Sequence, residues 1–261
     1  MADLTGSVAV ITGGSKGIGE AIARRLAADG ADLVLAARTQ ADLSAAADSI
    51  GTETGRRVET VAVDLRTSEG AERLHSEATS AFDSIDILVN NAGATKPGPF
   101  LELSDEDWLD GFALKFHGAV RLSRLFWPDL VSSHGTVVNV VGGLARTPTP
   151  DITIGGAVNA ACANFTKALA GLGLRDDVNV NAVHPGQTVT DRMGMILASR
   201  AEAAGVSPEE FQQGLVEKQG IRRLGDPTDV AAVVSFLCSP EARHVQGVAI
   251  GVDGGATAGL F

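Results

Sequence analysis

The stretch Ser7-Val-Ala-Val-Ile-Thr-Gly-Gly-Ser-Lys-Gly-Ile-Gly-Glu20 decides the fold. Residues 7–12 are a short apolar run with β-branched side chains, which reads as a buried strand. The run breaks into glycines at 13, 17 and 19. A helical pattern follows from Glu20 to Asp29, with Ile22 and Leu26 four apart and Gly30 as its stop. In a strand–turn–helix context, glycines let backbone N–H groups approach a pyrophosphate at the helix N-terminus. The spacing is G-x-x-x-G-x-G rather than G-x-G-x-x-G, and a tight strand-to-helix turn without ligand is the structural alternative.

Beyond this unit the alternation continues. Further strands are predicted at 31–37, 57–63, 85–90, 136–141, 178–183 and near 248–252. Helices are predicted at 40–50, 68–82, 105–131, 157–172 and 228–238. Strands this apolar are buried on both faces, and helices of this length make right-handed crossovers between parallel strands. The fold class is therefore α/β, a doubly wound parallel sheet of Rossmann type, expected as a single domain over residues 1–261. The segments 96–99 and 147–156 read as loops, and 187–225 as a helical substrate lid.

Composition narrows the function. Lys and Arg total 21 against 32 Asp and Glu, a formal charge of −11, which argues against nucleic acid as a partner. No apolar run reaches the ~18 residues of a membrane span, and no basic-then-apolar leader opens the chain. Cys162 and Cys238 lack metal-ligand spacing and read as reduced, buried residues of a cytoplasmic protein, with no metal site expected. Tyrosine is absent.

The end of the second strand bears on which dinucleotide is bound. An acid there would hold a ribose 2′-OH, whereas an arginine accommodates a 2′-phosphate. Arg38 stands at that place with no acid beside it, and Lys16 adds a second cation from the turn. Two cations favour NADP(H) over NAD(H), although either alone is an ordinary solvated charge.

The sequence resembles the short-chain dehydrogenase/reductase family along essentially its whole length. The match lies in Thr12-Gly-x-x-x-Gly17-x-Gly19, in Asp64 after the third strand, in Asn90-Asn91-Ala92-Gly93 after the fourth, in Pro185-Gly186-x-x-x-Thr190 and in Asp253-Gly254-Gly255. The resemblance implies strand order 3-2-1-4-5-6-7, a homodimer or homotetramer, and a small-molecule substrate. It implies a nucleotide held by Gly13, Ser15, Lys16, Gly17, Ile18, Gly19, Arg38, Asp64, Leu65, Asn91, Ala92, Gly93, Pro185, Gly186, Thr188 and Thr190.

Members that reduce carbonyls use an Asn on the fifth helix, a Ser after the fifth strand, and Tyr-x-x-x-Lys on the sixth helix. The matching positions here hold Lys115, Gly142, Gly155 and Asn159. An ammonium and an amide have exchanged helices. The sharper expectation makes Lys115 the electrophile or proton donor and Asn159 the holder of the ribose hydroxyls; the blander one makes Lys115 a solvent-facing lysine. Gly142 and Gly155 vacate the volume of a Ser and a Tyr, which a substrate, a water or neighbouring side chains would fill. His184, at the end of the sixth strand, and Met193, in the lid, are lesser substrate candidates. Asp151 and Thr153 are either substrate donors or helix caps. The leading expectation is an NADP(H)-dependent oxidoreductase for a small carbonyl or alcohol with an altered catalytic set. A lyase or hydrolase, or a catalytically silent nucleotide-binding protein, are the alternatives on the same fold.

Overall fold

The computed structural model describes residues 2–257, apart from the side chain of Arg192. Met1 and residues 258–261, part of the expected 1–261 domain, lie outside the described residues. Seven parallel strands form one sheet: β1 (Val8–Thr12), β2 (Asp32–Ala37), β3 (Val58–Ala62), β4 (Ile87–Asn90), β5 (Thr136–Val140), β6 (Asn179–Pro185) and β7 (Ala249–Val252). Their order is β3-β2-β1-β4-β5-β6-β7. The reversal between β1 and β4 opens a crevice at the carboxyl ends of these strands, where such sheets bind ligands.

Alternation within the strands assigns the two faces. Leu33 and Leu35 point into a core cluster with Ile22 and Leu26 of α1 (Gly17–Ala28) and Leu43 and Ile50 of α2 (Gln40–Thr54). The same cluster takes Val230 and Val234 of α9 (Pro227–Cys238). Val34 and Ala36 point the other way, toward Leu74 of α3 (Ser68–Ala81), Phe126 of α5 (Gly118–Ser133) and Ala170 of α6 (Thr153–Asp176). A third cluster joins Val141, Ala182, Ile154, Val158 and Cys162, and it fastens α6 over the ends of β5 and β6. Among the described residues no helix is long and apolar enough to cross a membrane.

Several predicted boundaries shift, two of them at the site. The helix expected over 105–131 is α4 (Asp105–Phe112) running through a π-helical turn at Ala113–His117 into α5. Residues 153–156, expected in a loop, are the first turn of α6. Gly155 and Gly156 serve close packing there rather than a turn: a Cβ on Gly156 would lie 3.3 Å from Pro148. Neither Asp151 nor Thr153 caps α6. Ile152 occupies the N-cap without a side-chain bond, and the buried Thr153 hydroxyl has no partner among the described residues. The 187–225 segment folds into α7 (Asp191–Ala204) and α8 (Pro208–Gln219), held by Leu197, Ile221 and Leu224.

Candidate active site

The glycine turn is fixed from behind by β4. The Asn91 amide donates to the carbonyl oxygens of Thr12 (2.9 Å) and Gly13 (3.4 Å), and the Thr12 hydroxyl accepts the N–H groups of Asn91 and Ala92. The approach leaves no room for side chains, since a Cβ on Gly19 would lie 2.1 Å from the Gly13 carbonyl oxygen. Gly13 and Gly17 have φ of +66° and +58°, conformations open to glycine at little cost. α1 starts after Lys16 with no side-chain cap, so its first N–H groups are left for an anion. This cradle fits a dinucleotide pyrophosphate.

The other predicted nucleotide residues surround it. Ser15 and Ile18 are half-buried in the turn, and Ile18 packs on the core. Arg38 is exposed at the end of β2, with no ion-pair partner among the described residues. Lys16 is paired with Asp42 at 2.8 Å, so its charge is partly spent. Asp64 is exposed and accepts the Arg66 backbone N–H, whereas Leu65 buries its side chain in the core and has only its main chain to offer. On the opposite side, Gly186 donates its N–H to Val252 and the Thr188 hydroxyl bonds the Gly186 carbonyl. Thr190 caps α7 and comes within 3.1 Å of where a Gly17 Cβ would stand, which brings the lid against the turn. Met193 packs into the lid's own cluster.

Lys115 turns inward. Its ammonium donates to the Val141 carbonyl at the end of β5, and its stem lies along Gly93, where a Cβ would meet Lys115 Cδ at 2.8 Å. The π-helical turn carries Lys115 at its centre, and at the start of α5 a Cβ on Gly118 would lie 3.1 Å from the Leu65 carbonyl oxygen. Burial pushes the Lys115 amine down to about 8. The Cys162 thiol contacts the Lys115 carbonyl at 3.8 Å, and burial raises its pKa.

Asn159 faces the same spot from α6. A Cβ on Gly142 would lie 3.0 Å from its Nδ2, and its buried Oδ1 has no partner among the described residues. A chain of buried hydrogen bonds sets the rotation of α6: Asn90 to Asn139 (2.9 Å), Asn139 to Thr166 (2.9 Å), and Thr166 to the Cys162 carbonyl (2.7 Å). Gly155 shares the helix face of Asn159. Of the occupants expected at Gly155, neighbouring side chains crowd the Cβ position: a Cβ there would meet Ile152 Cγ2 at 2.7 Å, Thr95 Oγ1 at 3.1 Å and Leu144 Cδ1 at 3.5 Å. His184 lies on the Ala182 face of β6, beside the α6 cluster, 2 % exposed and with neither ring nitrogen partnered among the described residues. Burial draws it down to about 4; the charges of Arg146 and Lys115 push the same way and Asp253 opposes.

Thr95, the Val141 carbonyl and Arg146 were missed by sequence reasoning. Thr95 follows Asn90-Asn91-Ala92-Gly93 by two residues and lies beyond the carboxyl end of β4, a location that alone would have marked it.

Comparisons with known proteins find relatives along nearly the whole chain. A family model described as enoyl-(acyl carrier protein) reductase matches residues 13–257. An uncharacterized oxidoreductase of Mycobacterium tuberculosis is 37% identical over 97% of this chain and 93% of its own. The crystal structure of L-sorbose reductase from Gluconobacter frateurii, complexed with NADPH and L-sorbose, superposes with a TM-score of 0.96 at 34% identity, covering 99% of both chains. A 7α-hydroxysteroid dehydrogenase complexed with NADH and 7-oxo glycochenodeoxycholic acid gives a TM-score of 0.89 at 28% identity, over 99% of this chain and 97% of that one.

Proposed function

The chain belongs to the short-chain dehydrogenase/reductase family, and from that premise we propose an NADP(H)-dependent oxidoreductase for small carbonyls or alcohols with an altered catalytic set. The observation that carries it is convergence: the cradle at Gly13, Gly17 and Gly19 opens at the same sheet end as Lys115, Gly142 and Asn159. Solved relatives hold NADPH in one case and NADH in another. Preference here for the phosphorylated form rests on Arg38.

A nicotinamide dinucleotide held in this cradle would supply or take up a hydride. Asn159, with its orphaned Oδ1, accepts from a ribose hydroxyl where the family has a lysine. Lys115 contributes positive charge beside Gly142, stabilising a substrate oxyanion and resupplying its proton. A positioned general acid is worth about 10²–10⁴ in rate, whereas holding reactants in attack geometry supplies ~7–11 kcal/mol. Loss of the phenol therefore slows hydride transfer without abolishing it. The apolar groove between α5 and α6, lined by Val120, Trp127, Phe165 and Leu169, supports the expected homo-oligomer.

Absorbance of NADPH with a panel of ketones, aldehydes and quinones tests the reading, beside Lys115→Ala. Turnover that drops in the variant supports it. The competing reading is a silent nucleotide-binding protein, favoured by the wall of Ile152, Thr95 and Leu144 at Gly155. No oxidation across the panel favours that alternative or a non-redox lyase or hydrolase on the same fold.

A further inference from the structure

The lysines of this chain are not alike. Lys16 and Lys96 each hold an aspartate at 2.8 Å, while Lys167 and Lys218 stand exposed on the surface. Lys115 is drawn inward without an acid: its Nζ meets the Val141 carbonyl, and it forms no ion pair among the described residues. It is half-buried rather than sealed, and it reaches the carboxyl end of β5, where the sheet opens into its crevice.

That partner matters chemically. A carboxylate keeps an amine protonated, whereas a carbonyl accepts an N–H from a neutral amine as well as from an ammonium. A neutral Lys115 therefore retains the Val141 contact and has its lone pair free. The surrounding groups bring no negative charge. They are the Cys162 thiol of α6, whose pKa burial raises, the His184 imidazole of β6, drawn down to about 4, and the Arg146 guanidinium beyond β5, bonded to the Ala249 carbonyl at 2.7 Å. With its own pKa lowered to about 8, Lys115 is half neutral at that pH, against about 0.3% for a lysine at 10.5. Beside it the main chain carries no side chain: Gly142 follows Val141, and the Asn159 amide borders the same spot, its Nδ2 3.0 Å from where a Gly142 Cβ would stand.

We propose that Lys115 in its neutral form is a nucleophile that condenses with small aldehydes and unhindered ketones, giving the pocket an imine- and enamine-forming activity that needs no nucleotide. A desolvated lysine is suited to this chemistry. The Nζ lone pair adds to the carbonyl carbon, the C=O π pair goes to oxygen, and that oxygen takes the proton the nitrogen sheds. The carbinolamine accepts a further proton from solvent and loses water, the C–O pair leaving with oxygen, which yields an iminium. A neighbouring C–H then gives its proton to water; its electron pair becomes a C=C bond and the C=N π pair returns to nitrogen. Reprotonation of that carbon and addition of water release the carbonyl compound and the amine. Nothing is oxidised or reduced. The hydride chemistry above uses the ammonium and this chemistry uses the amine, so the two readings fail separately.

Two measurements without nucleotide test the proposal. Wild type treated at pH 8 with propanal and sodium cyanoborohydride, which reduces the imine to a stable propyl-amine, is mapped by peptide mass spectrometry. Lys115 should be modified at least about 10-fold faster than Lys167 or Lys218, and its rate should level off above pH 8 while theirs keep rising. In D2O, proton NMR of acetone should show α-hydrogen exchange at least about 10-fold faster with wild type than with Lys115→Arg or Lys115→Met, each checked by a melting curve. Modification of the surface lysines with Lys115 untouched overturns the proposal. Exchange as fast in a folded variant as in the wild type overturns the enamine activity. If neither variant folds, the mapped label and its pH profile in the wild type decide. Each negative result leaves the NADPH oxidation assay, and the oxidoreductase reading with it, where it stood.

Discussion

The Lys115 ammonium donates to the carbonyl oxygen of Val141, one residue before Gly142, so a cation on the fifth helix reaches the end of the fifth strand. The contact holds a charge that burial disfavours, and this yields a pH signature. The native pKa, about 8, lies below the ordinary 10.5, so between these values the unfolded chain binds more protons than the native one. Stability should rise with pH across that window, and the penalty is complete below pH 8. At about 1.36 kcal/mol per unit it amounts to roughly 3 kcal/mol. Lys115→Met should therefore gain on the wild type most at pH 7, and its advantage should shrink toward pH 10.5 in urea titrations. If the protonated amine serves the reaction, wild-type kcat/KM should also fall above pH 8, and the variant should lose about 10²–10⁴ in rate.

His184 gives the opposite limb. Its native pKa near 4 is below the unfolded value of 6.5, so the native state resists protonation that the unfolded state accepts. The stability it contributes is present above pH 6.5 and is lost progressively toward pH 4. His184→Gln carries no such proton, so it should lose roughly 3 kcal/mol less than the wild type over that interval. Parallel acid-denaturation curves for the two proteins would remove His184 as a buried neutral imidazole.

The contrast between Arg38 and Lys16 is testable through cofactor choice. Lys16 already has Asp42 at 2.8 Å, whereas Arg38 has no such partner among the described residues. Arg38→Ala should weaken NADPH binding about 10–100-fold, the value of a charge-assisted contact of about 1.5–3 kcal/mol, and leave NADH binding nearly as it was. Lys16→Ala should do less. Fluorescence titration with both nucleotides reads the ratio, and a common loss for NADPH and NADH would mean that Arg38 does not meet the 2′-phosphate.

The doubly wound sheet was legible because its signals are local: apolar β-branched runs, glycines between strand and helix, and 3.6-residue periodicity. The order of the strands came through the family motifs. Lys115, Gly142 and Asn159 were found by matching positions, and the structure brings them to one place. The rest depends on close approach in space, which spacing does not encode. Nothing in Thr147–Gly156 announces that Ile152, Leu144 and Thr95 crowd onto Gly155, nor that Lys16 finds Asp42 on the next helix. The π-helical turn around Lys115 was equally hidden, because one extra residue per turn barely disturbs an amphipathic pattern.

That crowding makes a final prediction about restoring the family's residue. In Gly155→Tyr the new Cβ would stand 2.7 Å from Ile152 Cγ2 and 3.1 Å from Thr95 Oγ1, inside ordinary contact. Overpacking of this kind costs about 1–3 kcal/mol, so the single variant should melt lower and gain no ketone reduction. Ile152→Ala should by itself destabilise slightly, yet in combination it should return part of the loss, because it removes the methyl that clashes. The two substitutions act through one contact, so their effects should depart from additivity by about 0.5–3 kcal/mol. Additive melting shifts would mean that Ile152 does not set the space at Gly155, and that a side chain there finds room by moving Thr95 or Leu144 instead.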